Sequence, residues 1–144
     1  MKLTSFTDYT LRVLMYLALH SERLATIQEI AAAYDISENH LMKVVHHLAK
    51  SGVLESLRGK GGGIRLALPP EQISIGRVVK EAEGDGPIVE CFSAQDKCRI
   101  TPSCKLAGVL AQAFAALYAS LDQYTLADMV VQPEPLIRLL HSAR

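Results

Sequence analysis

All three cysteines of this 144-residue chain lie in one short stretch, CFSAQDKCRITPSC, which runs from Cys91 to Cys104. Their spacing, Cys91-x6-Cys98-x5-Cys104, is wider than the C-x2-C pairs of ordinary zinc ribbons, so structural zinc is not the first interpretation. Three thiols cannot all pair within one chain. The stretch is also too polar for plain buried cysteines, because it contains Gln95, Asp96, Lys97 and Arg99. The pattern therefore indicates a metal site or a redox-active site.

Iron–sulfur clusters usually take four thiolate ligands. With three cysteines, the fourth ligand must be another type of atom or must come from another chain. No histidine is close in the sequence, since the nearest are His47 and His141. Glu90 and Asp96 are oxygen donors in this region. The alternative is a thiol redox switch, in which one pair of cysteines forms a disulfide and one thiol is left over.

Composition and the N-terminal residues predict a cytoplasmic protein. Apolar residues make up 49% of the chain and charged residues 21%, which is typical of a globular protein. The sequence contains no run of about 20 apolar residues, the length that a membrane-spanning helix needs. Asp8 lies where a signal peptide would have its apolar core. Disulfides are uncommon in a reducing cytosol, which favours metal binding or redox chemistry at the cysteines. We do not expect an enzyme, because no Ser-His-Asp or Cys-His pattern is recognisable.

The two halves of the chain differ in charge although the total is zero. Residues 1–68 carry eight Lys and Arg against six Asp and Glu, a net charge of +2, and hold four of the five histidines. Residues 69–144 carry seven against nine, a net charge of −2. A partner with phosphate groups is therefore expected to meet the first half.

The first half predicts three helices followed by a β-hairpin. Apolar spacing predicts a helix over Phe6–His20, and a capping-box pattern at Thr26 precedes a short helix over Ile27–Tyr34. Ser37 is the predicted cap of a third helix that ends near Lys50. Two alternating segments, Val53–Leu57 and Ile64–Leu68, flank the glycine-rich sequence RGKGGG. This order of elements is that of a winged helix-turn-helix.

The second half predicts a helix over Ser74–Glu83, an irregular segment that contains the cysteines, and a long helix over Lys105–Leu121. The long helix is apolar nearly all round and must be covered on more than one side, so a second copy of the chain is its expected partner. Pro69-Pro70 is the expected boundary between residues 1–70 and residues 71–144. The predicted fold is mainly α with a small β-hairpin wing: a winged helix-turn-helix plus a long dimerisation helix.

The predicted third helix has two opposite faces. Its buried stripe recurs at helical spacing and comprises Leu41, Val44, Val45 and Leu48. The opposite stripe can donate hydrogen bonds to phosphates or base edges and contains no carboxylate: Asn39, Lys43, His46 and Lys50, flanked by His40 and His47.

The position of each residue along that helix predicts its role on DNA. Recognition helices present their N-terminal residues to bases, so we expect Ser37, Asn39 and Lys43 to read bases. Lys50 and the histidines His40 and His46 are expected nearer the phosphates. An ordinary solvated helix face is the alternative interpretation.

The tip of the predicted hairpin carries two cations among glycines. Arg58 and Lys60 flank Gly59, and a wing of this kind can place an arginine in a minor groove. A nucleotide-binding P-loop is the competing interpretation, but the sequence lacks the following Ser or Thr and the spacing of that motif.

Three parts of the sequence resemble the bacterial iron–sulfur winged-helix repressors: LTSFTDYTLRVLMYLA, ISENHLMKVVHHLAKSGVLESLRGKGGGIRLA and the three spaced cysteines. The similarity runs from Met1 to Val131, and its most specific pieces are the Arg58–Leu66 wing and the cysteine spacing. Within the family, the sequence is most similar to the NsrR-type nitric-oxide-sensing repressors rather than to the iron–sulfur assembly regulator IscR.

The resemblance implies one iron–sulfur cluster per subunit on Cys91, Cys98 and Cys104, of the 4Fe–4S type, with 2Fe–2S as the alternative. IscR-type members carry a histidine just after the third cysteine, but Ala107 occupies that position here. NsrR-type members take a carboxylate from the N-terminal region of the partner subunit, and the matching residue is Asp8. Its alternative role is an acidic residue at a helix N-terminus.

The resemblance also implies that Arg12 contacts a DNA phosphate, with a solvated charge as the alternative. The function it implies is a homodimeric transcriptional repressor on a roughly palindromic double-stranded operator. Nitric oxide would nitrosylate the cluster and release the operator. A regulator of the same fold that senses iron status or redox is the alternative, and a small iron–sulfur carrier or scaffold with no DNA role is the third.

Overall fold

The computed structural model describes residues 2–84 and 86–142. Met1, Asp85, Ala143 and Arg144 lie outside the described residues. The helices and strands, in chain order, are α1 Ser5–Leu19, α2 Ile27–Tyr34, α3 Glu38–Lys50, β1 Leu54–Leu57, β2 Gly63–Leu66, α4 Ile75–Glu83, α5 Lys105–Leu121, α6 Leu126–Met129 and α7 Pro133–Ser142. Short 3₁₀ turns occur at Pro70–Gln72, Glu90–Phe92 and Thr101–Ser103.

The starts of α2 and α3 are set by hydroxyl caps. Thr26 and Glu29 form a reciprocal capping box at α2, and Ser37 Oγ accepts a hydrogen bond from the His40 amide at 3.3 Å at α3. These side chains satisfy amides that have no partner within their own helix. The predicted starts of both helices are confirmed, and α1 begins one residue earlier than the apolar pattern predicted.

The two strands form an antiparallel hairpin in which Leu54 lies opposite Leu66. The hairpin predicted from the alternating pattern is confirmed, with strands slightly shorter than predicted. Ala25 and Ile64 exchange two backbone hydrogen bonds, of 2.7 and 3.0 Å, which attach the hairpin to the segment before α2. Strand β2 therefore lies between β1 and the segment before α2 and is paired on both sides.

One hydrophobic core joins the two parts of the chain. Leu14, Ile30 and Leu41 from α1, α2 and α3 are fully buried, and Val79 of α4 and Leu126 of α6 belong to the same cluster. Helix α1 contacts α3, α4, α6 and β2. Residues on both sides of Pro69-Pro70 thus contribute to the same core. The division into a DNA-binding part, residues 1–70, and a cluster-binding and dimerisation part, residues 71–144, remains a prediction.

Helix α5 occupies the range that the sequence predicted, but no residue of this helix is fully buried in the single chain. The side chains of Leu106 and Val109 are 61% and 52% exposed. Only its C-terminal part packs on the core, through Tyr118 and Leu121. No helix in the described ranges is long and apolar enough to cross a membrane.

A carboxylate at the end of α4 connects it to the start of α1. Glu83 Oε1 accepts hydrogen bonds from the Thr4 amide at 2.8 Å, from Thr4 Oγ1 at 3.1 Å and from Thr7 Oγ1. Partial burial acts to raise the pKa of Glu83, but the hydrogen bonds from Thr7 and Thr4 outweigh it, and the net pKa is lowered. The ionised carboxylate therefore stabilises the contact between α1 and α4.

Replacing this carboxylate by an amide, Glu83→Gln, is expected to lower the free energy of unfolding at pH 7 by about 1 kcal/mol, because charge-assisted hydrogen bonds become neutral ones. Since the pKa of Glu83 is lowered in the folded state, its contribution is present above the unfolded-state pKa and is lost as pH falls through the folded-state pKa. Urea unfolding at pH 7 and near pH 3 measures this. Glu81→Gln, on the same helix, is the control: it removes only a solvent-exposed ion pair with Arg77 and should change little. An equal effect of both variants at pH 7 contradicts the prediction.

Candidate nucleic-acid interface and metal centre

Helix α3 presents a polar face to solvent and is held from behind by its apolar face. Leu41, Val44, Val45 and Leu48 are buried, and α3 contacts α1, α2 and β1. The predicted DNA-reading stripe is exposed along its full length: Asn39, Lys43, His46 and Lys50. The rigid support of this helix and the exposure of its donors fit a recognition helix.

The remaining α3 candidates have structural contacts as well. Ser37 accepts the His40 amide as the helix cap, and its hydroxyl proton remains available to a phosphate. The exposed His40 ring lies 5.9 Å from the Tyr9 ring, measured between centroids. The His47 ring is half-buried and packs edge-on against Phe6 at 5.3 Å. His47 therefore contributes more to the packing of α3 on α1 than to the exposed stripe.

The wing carries exposed cations at a turn that requires glycine. Gly59 and Gly61 have φ angles of 99° and 76°, in the left-handed region that glycine adopts without strain. Arg58 and Lys60 are exposed beside them, and neither forms an ion pair within the described residues. Their charges remain available to phosphates or to a minor groove.

Arg65 on β2 differs from these two cations because it is paired across the hairpin. Its Nε donates to Glu55 Oε1 on β1, directly opposite. This pair was not among the contacts predicted from the sequence. The strand alternation could have indicated it, since the two residues occupy facing positions in the predicted hairpin.

Arg12 and Asp8, which the sequence analysis assigned to different functions, are paired with each other. Arg12 Nη2 lies 2.8 Å from Asp8 Oδ2, and Arg12 Nε donates to Asp8 Oδ1 at 3.1 Å. The Arg12 guanidinium also lies 5.7 Å from the centre of the Tyr34 ring. Burial raises the pKa of Tyr34 to about 12, against the opposing effect of Arg12. Arg12 is thus half-exposed and held on two sides rather than freely solvated.

The cysteine segment is irregular, as predicted, apart from its two short turns. All three thiols are free; Cys91 and Cys104 are half-buried and Cys98 is exposed. Cys91 lies within the Glu90–Phe92 turn, and Cys104 immediately precedes α5. The segment is therefore anchored to a rigid element at its C-terminal end.

The two carboxylates considered as rival oxygen donors contact the backbone of the same segment. Asp96 Oδ1 accepts a hydrogen bond from the Cys98 amide at 2.9 Å, and Glu90 Oε1 accepts one from the Lys97 amide at 3.3 Å. These contacts order the segment around Cys98. They also occupy one oxygen of each carboxylate.

The donor set fits an iron–sulfur cluster in chemistry but is incomplete in one chain. Thiolates are the usual ligands of such clusters, and three are present without a disulfide. Among the residues that the structure describes, no three His, Cys, Asp or Glu side chains are arranged to hold a metal ion. The three cysteines are therefore not brought together as a ligand group in the described part of the single chain, and Asp8 of the same chain does not complete one.

A helix-turn-helix whose third helix exposes hydrogen-bond donors, followed by a hairpin with a cationic tip, defines the winged-helix class of DNA-binding proteins. The Rrf2 family, described as "Iron-dependent Transcriptional regulator", matches residues 3–132. The chain belongs to the Rrf2 family and is a DNA-binding transcriptional regulator.

Similar proteins agree with this assignment. The chain is 51% identical over 142 residues to the HTH-type transcriptional regulator NsrR of Bacillus subtilis (strain 168), covering 97% of each protein. The solved structure of T. potens IscR has a TM-score of 0.75 at 26% identity, over 94% of this chain and 90% of that one. The structure of CymR (YrzC), the global cysteine regulator of B. subtilis, has a TM-score of 0.71 at 23% identity and supports the fold, over 91% of this chain and 97% of that one. The winged-helix fold and the NsrR-type resemblance are confirmed.

Removing one cation from α3 or from the wing, the two predicted DNA-binding elements, should weaken DNA binding strongly. We expect Lys43→Ala and Arg58→Ala each to reduce affinity by about tenfold or more, because each removes a charged contact to DNA. Fluorescence anisotropy on a duplex selected from a randomised library, repeated over a range of salt concentrations, measures this. Arg138→Ala, an exposed cation on α7, is the control; wing and recognition-helix variants that bind as tightly as this control contradict the assignment.

Proposed function

We propose that this protein is a homodimeric transcriptional repressor that senses nitric oxide through an iron–sulfur cluster and releases its operator when the cluster is nitrosylated. The observation that carries the proposal is the set of three free thiols in one segment, one donor short of the usual four. The high identity to a regulator named NsrR, together with the nitric-oxide-sensing resemblance, supports the choice of signal.

A second copy of the chain accounts for both features that a single chain leaves incomplete. The exposed apolar face of α5, including Leu106 and Val109, needs a covering surface. The cysteines need a fourth donor, and the Asp8 carboxylate of the partner subunit is the donor that the resemblance implies. Two-fold pairing through α5 would also present two recognition helices to a palindromic operator.

Within this proposal the chain's own residues have defined tasks. Cys91, Cys98 and Cys104 would hold the cluster, and its iron would supply the reaction with nitric oxide. A carboxylate would be an unusual fourth ligand and would leave the iron that it holds comparatively open to attack. Asp8 has a competing partner in its own helix, because both of its oxygens contact Arg12. Ligation by Asp8 and the ion pair with Arg12 are therefore alternatives for the same carboxylate.

The second candidate is a regulator that senses redox or iron status through the same thiols. Free cysteines with one exposed member, Cys98, favour it, since an exposed thiolate is open to oxidation or exchange. It differs from the first candidate in requiring no nitric oxide.

Nitric oxide should remove the cluster absorption and the DNA affinity together. Anaerobically purified protein is titrated with nitric oxide while visible absorption, iron content and operator binding are followed on the same samples. We expect a broad iron–sulfur absorption to bleach at a few nitric oxide molecules per cluster while the operator is released. Protein that contains no iron, takes up no cluster on reconstitution and binds DNA identically with and without the gas contradicts the proposal, and thiol oxidation is then the signal to test.

Two variants separate the proposed role of Asp8 as a cluster ligand from its ion pair with Arg12. Asp8→Ala removes both, whereas Arg12→Ala removes the ion pair and keeps the carboxylate. We expect iron loss to a chelator to be at least about tenfold faster in Asp8→Ala, because a direct ligand is removed. In Arg12→Ala iron loss should be no faster than in the wild type, because the carboxylate is kept and its competing partner is gone. Equal rates in both variants would show that Asp8 is only an ion-pair partner. The exposed pair contributes little to folding, at most about 1 kcal/mol, so both variants should fold.

A further inference from the structure

One residue on the exposed side of α3 has an apolar side chain. Met42 is 53% exposed, one turn after Asn39 and one turn before His46. Together with Lys43, these residues line one shallow depression on the surface. An apolar side chain therefore lies among the donors that are predicted to read DNA.

The packing of α3 does not explain this side chain. Leu41, Val44, Val45 and Leu48 form the buried face, and Met42 is rotated by about 100° from Leu41 around the helix. Among the described residues, the other large apolar side chains that are strongly exposed lie before α1, in the hairpin, or after it, including α5 and α7. Met42 is the one member of this group on helices α1 to α3.

The chemistry of the major groove offers one apolar feature. Base pairs display hydrogen-bond donors and acceptors there, and thymine alone adds a methyl group at C5. A methionine side chain is flexible and polarisable, so it can follow such a methyl group without strict geometry. Asn39 can donate to adenine N7 and accept from its N6 amino group, and Lys43 can donate to guanine O6 and N7.

We propose that Met42 is a specificity-determining residue that selects thymine in each operator half-site by contact with the C5-methyl group. The inference rests on the proposed function, because it requires α3 to enter the major groove. The methyl contact is made between the base contact of Asn39, toward the helix start, and that of Lys43. It removes apolar surface of both groups from water.

The test deletes the methyl group without changing any hydrogen bond. Operators are first selected from a randomised duplex library, with the wild type and Met42→Ala in parallel. Each thymine of the wild-type operator is then replaced in turn by deoxyuridine, and affinities are measured at fixed salt. Replacement of the contacted thymine in one half-site should weaken wild-type binding about fourfold. Replacement in both half-sites should weaken it about fifteenfold, which corresponds to burial of one methyl group per half-site.

The same replacement should not affect Met42→Ala, and thymine enrichment at that position should disappear from its selected sequences. Alanine has the highest helix propensity, so the variant retains α3. Leu139→Ala, an exposed apolar residue on α7, is the matched control and should keep both the thymine enrichment and the deoxyuridine effect.

Two outcomes overturn the inference while leaving DNA binding intact. In the first, no single deoxyuridine replacement weakens wild-type binding. In the second, a replacement weakens wild type and Met42→Ala equally, which means that another group contacts the methyl. If the wild type selects no sequence at all, α3 does not read an operator as proposed, and the inference fails with it.

Discussion

Burial of helix α1 is the constraint on which the arrangement of the other elements depends. Its apolar face, with Val13, Leu14 and Leu17, lies in the core and contacts α3, α4, α6 and β2. Because interiors are closely packed, a shift of α1 would move the recognition helix and the base of the hairpin with it. The exposed side of the same helix carries Asp8 and Arg12. The helix that supports the predicted DNA-reading surface therefore also carries the predicted contribution to the partner's cluster.

Two surfaces of the single chain are exposed although their composition suits contact with a partner, and they differ in chemistry. The surface of α3 and the wing exposes hydrogen-bond donors and positive charge, which suits a polyanion. The surface of α5 exposes aliphatic side chains such as Leu106 and Val109, which suits a second apolar surface. The cysteine segment ends where α5 begins, at Cys104. The predicted cluster ligands are thus adjacent to the helix that is predicted to join two subunits.

Local signals predicted the helices and the hairpin well. Thr26, Glu29 and Ser37 act on amides within a few residues, so their sequence positions are enough to place the starts of α2 and α3. The glycines at the wing tip are likewise required by local backbone geometry at Gly59 and Gly61. Apolar periodicity predicted which face of α3 is buried, because that face repeats with the helical turn.

Contacts between distant residues were not predictable in this way. Glu83 binds Thr7 although 76 residues separate them in the chain, and no local pattern indicates which of many carboxylates meets that hydroxyl. Asp8 and Arg12 are four residues apart on one helix, a spacing that permits an ion pair. Each had been assigned a separate role from the resemblance, and their mutual contact shows that one carboxylate has two possible partners.

The sequence by itself determined the element order, the donor-rich face of α3, the cationic wing and the number of thiols, because each depends on residue type and short-range spacing. The tertiary structure decided which of those groups are free and which already have partners. Arg65 and Arg12 are paired, Arg58 and Lys60 form no ion pair among the described residues, and Met42 lies exposed among polar side chains. The physical reason is that hydrogen bonds and burial act over a few ångströms in space, whatever the separation along the chain.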